Sequence, residues 1–152
     1  MLCTLGEHDL LTSKPMHLLE LDEQGQFWFY CQAPVLAHEF SNQYERANLS
    51  FSDESSSRYV SVACSGELVR DRTRIHALWS SLAKPWFPEG PDAPDLACLK
   101  FAPLRAELWD GPGNRLTQAL AFAASVLAGK PVAMGEHKVL DDLPRPLLPA
   151  AR

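Results

Sequence analysis

The chain has 152 residues, of which 46% are hydrophobic and 22% are charged. This size and composition predict one folded domain with its own core, and they exclude an intrinsically disordered chain. Nineteen acidic and fourteen basic residues give a formal net charge of −5. The acidic balance argues against a nucleic-acid partner, because neutralisation of phosphate charge supplies most of the affinity of such proteins.

The spacing of the cysteines and the length of the apolar segments indicate the cellular compartment. The four cysteines (Cys3, Cys31, Cys64 and Cys98) are widely scattered and lack zinc-type spacing, so we expect reduced thiols and no metal site. The N-terminus has neither the basic start nor the apolar run of a signal peptide. The longest apolar stretch, residues 120–129, is shorter than the roughly 20 residues that a spanning helix needs. We therefore expect a cytoplasmic protein with no membrane partner.

The first half of the chain reads as β-strands. A run from Met16 to Leu21 is followed by the acidic turn Asp22–Gly25 and the run Phe27–Tyr30, which together predict a β-hairpin. The second run is apolar at every position. We expect one of its faces to meet the core and the other to meet a ligand or a partner.

Shorter elements follow the hairpin. We expect a helix from Val35 to about Gln43 and a half-buried strand over Ala47–Phe51, where apolar and polar residues alternate. Residues 52–57 are polar and predict a solvated loop. A long β-branched strand is predicted over Tyr59–Ser65, with a bulge at Gly66 near its end.

A helix and a proline-rich segment come next. Asp71 predicts an N-cap for a helix whose apolar stripe consists of Ile75, Leu78, Trp79 and Leu82. The segment from residue 83 to residue 94 contains four prolines, which excludes regular secondary structure there.

The last third predicts two strands, a helix and a tail. The strand pair is Leu96–Phe101 and Arg105–Trp109, broken by Pro103, and the helix spans Arg115–Ala128. Residues from Pro144 onward predict an extended arm. The whole pattern indicates an α+β domain built around a β-barrel, with residues 1–135 forming the domain and residues 136–152 a proline-rich C-terminal extension.

Signatures of common catalytic sites are absent from the sequence. It has no glycine-rich phosphate loop, no nucleophile elbow and no zinc-binding helix. Aromatic side chains instead cluster in the predicted loops and strand edges: Trp79, Trp86, Phe87 and Trp109. Aromatic surface of this kind covers a partner or a flat ligand. The alternative, that these rings plug the end of the barrel or a dimer interface, remains open.

An ordered series of motifs spans most of the chain: Ser13–Met16, Leu18–Asp22, Phe27–Tyr30, Asn48–Phe51, Arg58–Val62, Leu78–Trp79, Ala83–Gly90, Asp95–Leu96 and Glu107–Asp110. The series resembles the general stress protein branch of the pyridoxamine 5'-phosphate oxidase-like, FMN-binding split barrels. The resemblance covers about residues 11–131. Its most specific part is the Trp-Phe-Pro-Glu-Gly element that begins at Trp86.

The resemblance implies a six-stranded antiparallel split β-barrel with flanking helices. Two copies of it would form a homodimer whose interface holds two flavin sites lined by both subunits. Carried over to this sequence, one group of residues would lie beside the flavin ring: Lys14, Pro15 and Met16. A second group would face the ring and the phosphate: Phe29, Tyr30, Cys31 and Gln32. A third would reach across from the other subunit: Trp79, Lys84, Trp86 and Phe87. Trp109 would lie at the rim.

Two departures from the family pattern affect the phosphate end of the implied site. Lys14 stands where the family has arginine, which keeps the charge but loses the planar, two-pronged donor. The segment Cys31–Leu36 supplies neither the threonine nor the lysine that the family uses on the phosphate. The resemblance then leaves phosphate binding to Lys14, Gln32 or an arginine elsewhere, and a looser phosphate end also has room for FAD.

Three functions follow as alternatives. The first is a flavin-dependent oxidoreductase of unknown substrate, in which bound FMN carries the redox chemistry. The second is a non-catalytic module that binds or senses flavin, and the third is a barrel that has lost its ligand. We do not expect pyridoxamine-phosphate oxidase activity, because the substrate-binding arginine and histidine of those enzymes are not recognisable. No catalytic residue is predicted.

Overall fold

The computed structural model describes residues 1–6, 10–36, 45–111 and 136–141. Within these ranges the chain forms one antiparallel sheet with two short helices. The strands are β1 (Leu2–Leu5), β2 (Leu11–Lys14), β3 (Leu18–Leu21), β4 (Phe27–Gln32), β5 (Glu45–Asp53), β6 (Arg58–Val69), β7 (Leu96–Asp110) and β8 (Glu136–Leu140). The helices are α1 (Ala33–Leu36) and α2 (Arg72–Leu78), and 3₁₀ turns span Ser81–Ala83 and Gly90–Asp92. None of the helices described is long and apolar enough to cross a membrane.

The order of the strands makes the sheet curl. It runs β2-β1-β5-β6-β7-β4-β3, and β8 pairs with the C-terminal half of β7. The edge strands β2 and β3 are nevertheless separated in the chain by residues 15–17 alone. Four residue steps span at most about 14 Å, so the two edges of the sheet approach each other. The chain joins these edges covalently, and no hydrogen-bonded ladder between them closes the sheet.

The structure confirms one part of the predicted fold: a mostly antiparallel sheet with few helices. The prediction of six strands is wrong, because the sheet already has eight strands within the described residues and is not closed. The sequence reading missed β1, β2 and β8, which are only four or five residues long. β8 lies within the predicted C-terminal extension. Three predicted segments lie outside the described residues: the helix over residues 115–128, the part of the helix from Val35 that follows residue 36, and the tail from Pro144.

β4 separates two hydrophobic clusters, which accounts for its apolar composition. Phe29 and Cys31 face the main core inside the curled sheet. Trp28 and Tyr30, at alternate positions, face a second cluster built on α2 and the loop after it. This second face was expected to meet a ligand or a partner. Most of it is covered by the chain's own helix and loop, since Trp28 is 7% exposed.

Helix α2 begins as predicted and ends earlier. The Asp71 carboxylate accepts a hydrogen bond from the Thr73 N–H at 2.9 Å, which confirms the predicted N-cap. The helix stops at Leu78 because Trp79 adopts an extended backbone and packs its ring against Tyr30. Leu82, predicted on the apolar stripe, is 68% exposed in the following turn.

Strand β7 is continuous where the sequence predicted a break. Cys64 of β6 pairs with Pro103, and Ala63 pairs with Arg105, so that Leu104 is an extra residue in β7. A bulge tolerates proline because the ladder does not use its missing N–H there. Pro103 therefore bends one 15-residue strand and does not divide it into two.

The hairpin of β5 and β6 extends beyond its prediction on both sides. β5 continues through Asp53, and the turn between the strands is confined to residues 54–57. The predicted bulge at Gly66 is wrong, because Gly66 pairs in regular register with Glu45 and Phe101. The predicted β3–β4 hairpin is confirmed, with Gly25 in the left-handed region at φ 74°.

Candidate functional site

A cleft of about 600 Å³, here called the main cleft, opens between the link from β2 to β3 and the loop that follows α2. One wall is formed by residues 14–17 and Leu19. The base is the end of β4: Tyr30, Cys31 and Gln32. The opposite wall consists of Val35, Ser80, Leu82, Ala83, Trp86 and Phe87. Its size and mostly apolar lining are those of a small-molecule site.

The first wall exists because the chain changes sheet edge there. Pro15 has no N–H for a ladder and follows β2 directly, so the strand ends and the chain crosses to β3. Met16 packs against the main core and presents its remaining surface to the cleft. His17 is exposed at the cleft edge.

Tyr30 links the base of the cleft to the opposite wall. Its hydroxyl donates a hydrogen bond to the Ile75 carbonyl at 2.9 Å. Its ring lies 5.8 Å from the Trp79 ring and 6.1 Å from the Phe87 ring, centroid to centroid. Burial, with a smaller contribution from Cys98, raises the pKa of Tyr30 to about 12. The phenol is therefore neutral at physiological pH and serves as a hydrogen-bond donor.

Cys31 contributes a neutral thiol to the base. Burial, supported by Cys98 and opposed by the positive charge of Arg70, raises its pKa to about 12. Because the thiolate is the reactive form of cysteine, this side chain is a packing group at neutral pH and not a nucleophile.

The opposite wall has a buried part and an exposed part. The Ala83 carbonyl accepts hydrogen bonds from the N–H groups of Trp86 at 3.1 Å and Phe87 at 3.0 Å, which fixes both residues. Phe87 is 7% exposed and belongs to the second cluster, whereas Trp86 is 68% exposed. Leu82 and Val35 are also exposed, so the mouth of the cleft has an apolar rim.

The charges around the main cleft favour an anionic or neutral ligand. Lys14 is the one lysine or arginine among the described lining residues, and that lining contains no aspartate or glutamate. A half-buried lysine in a mostly apolar lining suits a phosphate or another anion.

A second cleft of about 560 Å³ lies on the other side of Pro15 and Met16, which line both clefts. Its lining includes Tyr59 and Trp109, which are opposite each other on β6 and β7 and are both exposed. Trp109 also stacks on His137 of β8 at a centroid distance of 5.0 Å and an interplanar angle of 11°.

The structure brings eight of the predicted cofactor-binding residues together in the main cleft: Lys14, Pro15, Met16, Tyr30, Cys31, Gln32, Trp86 and Phe87. It places the other four elsewhere. Phe29 points into the main core, edge-on to Phe101. Trp79 packs behind Tyr30, Lys84 is exposed outside both linings, and Trp109 lines the second cleft.

The expectation that Trp86 and Phe87 reach across to a flavin site of another subunit stays a prediction. Both residues already line the same cleft as Lys14 of their own chain. The contact between Tyr30 and Phe87 and the hydrogen bond from Tyr30 to α2 hold the loop on its own sheet.

Sequence reasoning missed six lining residues: His17, Leu19, Val35, Ser80, Leu82 and Ala83. Several of them could have been found from their position next to predicted site residues. His17 follows the Lys-Pro-Met segment, and Ser80 to Ala83 precede the Trp-Phe element. For Leu82, the predicted helical stripe assigned the side chain to the core.

The described residues form a curled antiparallel sheet with an apolar, cation-bearing cleft at the end of one strand, an arrangement that suits a small-molecule site. Residues 1–132 match the sequence model of the family described as pyridoxamine 5'-phosphate oxidase like, and the chain belongs to this family. A search of curated proteins gave no match.

Solved structures agree with this assignment. The candidate general stress protein 26 of Jannaschia sp. CCS1 is 25% identical, with a TM-score of 0.69 over 92% of this chain and 88% of that one. The general stress FMN/FAD binding protein of Xanthomonas citri is 23% identical, with a TM-score of 0.62 over 75% and 80%. A pyridoxamine 5'-phosphate oxidase-related, FMN binding protein of Nostoc punctiforme PCC 73102 is 14% identical, with a TM-score of 0.55 over 94% and 85%. The resemblance found in the sequence is thereby confirmed.

Proposed function

We propose that the main cleft binds a flavin, FMN in the first place, and that it also admits FAD. The observation that carries the proposal is the convergence of the Lys-Pro-Met segment, the end of β4 and the Trp86–Phe87 pair on one apolar cleft. Related proteins from Xanthomonas citri and Nostoc punctiforme are described as FMN/FAD binding and FMN binding.

The residues of the cleft fit such a ligand. An isoalloxazine ring is flat and largely apolar, and Met16, Tyr30 and Phe87 offer it apolar and aromatic surface. Lys14 would bind the phosphate, which places the anion at the one lysine or arginine of the described lining. Trp86, exposed at the rim, would cover the ring from the solvent side.

We further propose that the protein is a flavin-dependent oxidoreductase of unknown substrate. The bound flavin would supply hydride or electron transfer, and the chain's own residues would orient it and exclude water.

A second candidate is a non-catalytic flavin-binding or sensing module. It is favoured by the neutral state of Tyr30 and Cys31, whose pKa values are both raised to about 12, and by the lack of a carboxylate in the described lining.

We also propose that two copies form a homodimer. The second cleft supports this proposal, because Tyr59 and Trp109 present exposed aromatic surface there, directly beside the segment that walls the main cleft. Analytical ultracentrifugation tests it, and a monomer at micromolar concentration would contradict it.

Fluorescence titration of the ligand-free protein with FMN and FAD tests flavin binding. Trp86→Ala removes a side chain that is 68% exposed, so we expect normal folding and an affinity about tenfold weaker, which corresponds to roughly 1.4 kcal/mol. Leu21→Ala is the matched control, because Leu21 is also exposed and lies outside both linings. Failure of the wild-type protein to bind any flavin would overturn the proposal.

Anaerobic mixing of the flavin-loaded protein with NADH and with NADPH separates the two candidate functions. Bleaching of the flavin absorbance by either nucleotide is expected of an oxidoreductase that uses it. A loaded protein that neither nucleotide bleaches would favour the binding or sensing module.

A further inference from the structure

The first residue of α2 contacts the far end of the loop that walls the main cleft. Arg72 donates hydrogen bonds from Nη1 to the Pro91 carbonyl at 3.3 Å and to the Ala93 carbonyl at 3.0 Å. Its Nη2 lies 3.5 Å from the Pro94 carbonyl. One guanidinium group thus serves three carbonyls within four consecutive residues.

These carbonyls lie where the loop returns to the sheet. The loop, residues 79–94, leaves the C-terminal end of α2, carries Trp86 and Phe87, and comes back to the N-terminal end of the same helix. Proline at positions 91 and 94 removes two backbone donors from this return. The return keeps two backbone hydrogen bonds of 3.2 Å, from the Ala93 N–H to the Gly90 carbonyl and from the Leu96 N–H to the Ala93 carbonyl. Arg72 adds side-chain donors that tie the segment to α2.

The return segment is packed against the same cluster as the cleft wall. Ala93 is 3% exposed and shares the second hydrophobic cluster with Ile75 and Phe87. A shift of Ala93 therefore disturbs the cluster in which Phe87 is packed, and Phe87 lines the main cleft. Displacement of one end of the loop would be transmitted to the wall by packing.

We propose that Arg72 is a positioning residue for the main cleft: it holds the return of the loop so that Phe87 stays packed and Trp86 stays at the rim. The effect on ligand affinity rests on the proposed flavin-binding function. Lysine cannot replace Arg72 fully, because an ammonium is a point donor whereas the planar guanidinium reaches several acceptors at once.

A neighbouring ion pair restrains the return of the loop less strongly. His76 Nε2 lies 2.9 Å from Asp92 Oδ1, but the two side chains are 48% and 82% exposed. Solvent-exposed pairs of this kind contribute little. Arg72 is exposed as well, but its hydrogen bond to the Ala93 carbonyl is partly buried, and its guanidinium group reaches three carbonyls of the return where the ion pair has one contact. Arg72 is therefore the stronger restraint on the return of the loop.

Three variants test the proposal: Arg72→Ala, Arg72→Lys, and the control Arg105→Ala, which removes an exposed arginine of β7. The first readout, made on ligand-free protein, is hydrogen–deuterium exchange of the loop amides, among them those of Trp86 and Phe87. The second is the FMN dissociation constant at 15 °C, a temperature at which each variant is first verified to be folded.

We expect Arg72→Ala to raise exchange in residues 83–90 at least fivefold and to weaken FMN binding five- to tenfold. Arg72→Lys should give a partial effect in both, and Arg105→Ala none. Should Arg72→Ala fail to fold, Arg72→Lys carries the same comparison. Unchanged exchange would overturn the proposal, and so would faster exchange with unchanged FMN affinity. If the wild-type protein binds no flavin, the proposed function fails, while the exchange data still decide whether Arg72 holds the loop.

Discussion

The hydroxyl of Tyr30 donates a hydrogen bond to the carbonyl of Ile75 across 2.9 Å, which joins the sheet at the base of the cleft to the helix that begins its opposite wall. The two residues are 45 positions apart in the chain. The same tyrosine ring contacts both Trp79 and Phe87. One side chain of β4 thus holds the opposite wall against the base of the cleft.

Tyr30→Phe removes this hydrogen bond and keeps the ring. We expect a loss of about 1–2 kcal/mol in the free energy of unfolding at pH 7, because a buried carbonyl loses its donor. Urea denaturation monitored by tryptophan fluorescence measures the loss. An unchanged midpoint would show that the bond does not contribute to stability.

The same variant predicts a difference at alkaline pH. The pKa of Tyr30 is raised from 10.0 to about 12, so the folded state favours the neutral phenol. The contribution of the neutral phenol to the free energy of unfolding is fully present below pH 10 and is lost as the pH rises toward 12. We therefore expect the stability gap between wild type and Tyr30→Phe to narrow above pH 10. A constant gap up to pH 11.5 would contradict the raised pKa.

Lys14→Gln tests the role of the cation in the main cleft. A charge-assisted hydrogen bond contributes roughly 1.5–3 kcal/mol, so we expect FMN affinity to fall by about tenfold or more. Riboflavin, which has no phosphate, should bind the variant and the wild type within about twofold. Isothermal titration calorimetry with both ligands checks this. Equal losses for FMN and riboflavin would place Lys14 at the ring and not at the phosphate.

The hydrogen bonds of Asp22 should make part of the free energy of unfolding depend on acidic pH. Its carboxylate accepts hydrogen bonds from the Trp28 indole at 2.8 Å and from two backbone N–H groups of the turn at 2.8 and 3.0 Å. Burial by itself would raise the pKa of Asp22, but these bonds and the charge of Arg74 outweigh it, and the net pKa lies below 3.8. The folded state therefore favours the charged form, which contributes stability above pH 3.8.

We expect Asp22→Asn to lower the free energy of unfolding by about 1–2 kcal/mol at pH 7, because the hydrogen bonds to a charged acceptor are weakened. The difference from wild type should shrink as the pH falls below about 3.8, because the carboxylate of the unfolded chain is protonated there before that of the folded chain. Glu23→Gln, at the exposed neighbouring position, is the control and should change stability by less than about 0.5 kcal/mol. A gap for Asp22→Asn that widens in acid would refute the assignment.

Gly111 is required where β7 ends against the β5–β6 turn. Its N–H donates to the Ser57 carbonyl at 2.9 Å, and a Cβ at this position would lie 2.7 Å from the Cβ and 2.9 Å from the carbonyl oxygen of Ser57. We expect Gly111→Ala to cost about 1–3 kcal/mol, because the clash is partly with backbone. Gly6→Ala, whose nearest contact is 3.4 Å, should be close to neutral. Thermal unfolding compares the two.

Local signals in the sequence predicted some elements well. The β3–β4 hairpin and the N-cap of α2 each depend on residues close together in the chain, such as Gly25 and Asp71. The break predicted at Pro103 failed because the cost of proline depends on what the neighbouring strand can accommodate, and β6 accepts a bulge there. β8 was missed because its residues pair with a strand some 30 positions earlier.

The sequence by itself determined the family, the predominance of antiparallel strands and the motifs from which the cleft is built, since these depend on residue type and order. Only the tertiary structure decided which of those side chains share a cleft. Lys14 and Trp86 line the same cleft because the sheet curls until its edges approach, while Phe29 is turned into the core by strand register. Curl and register depend on pairings between distant strands, which no local pattern of residues specifies.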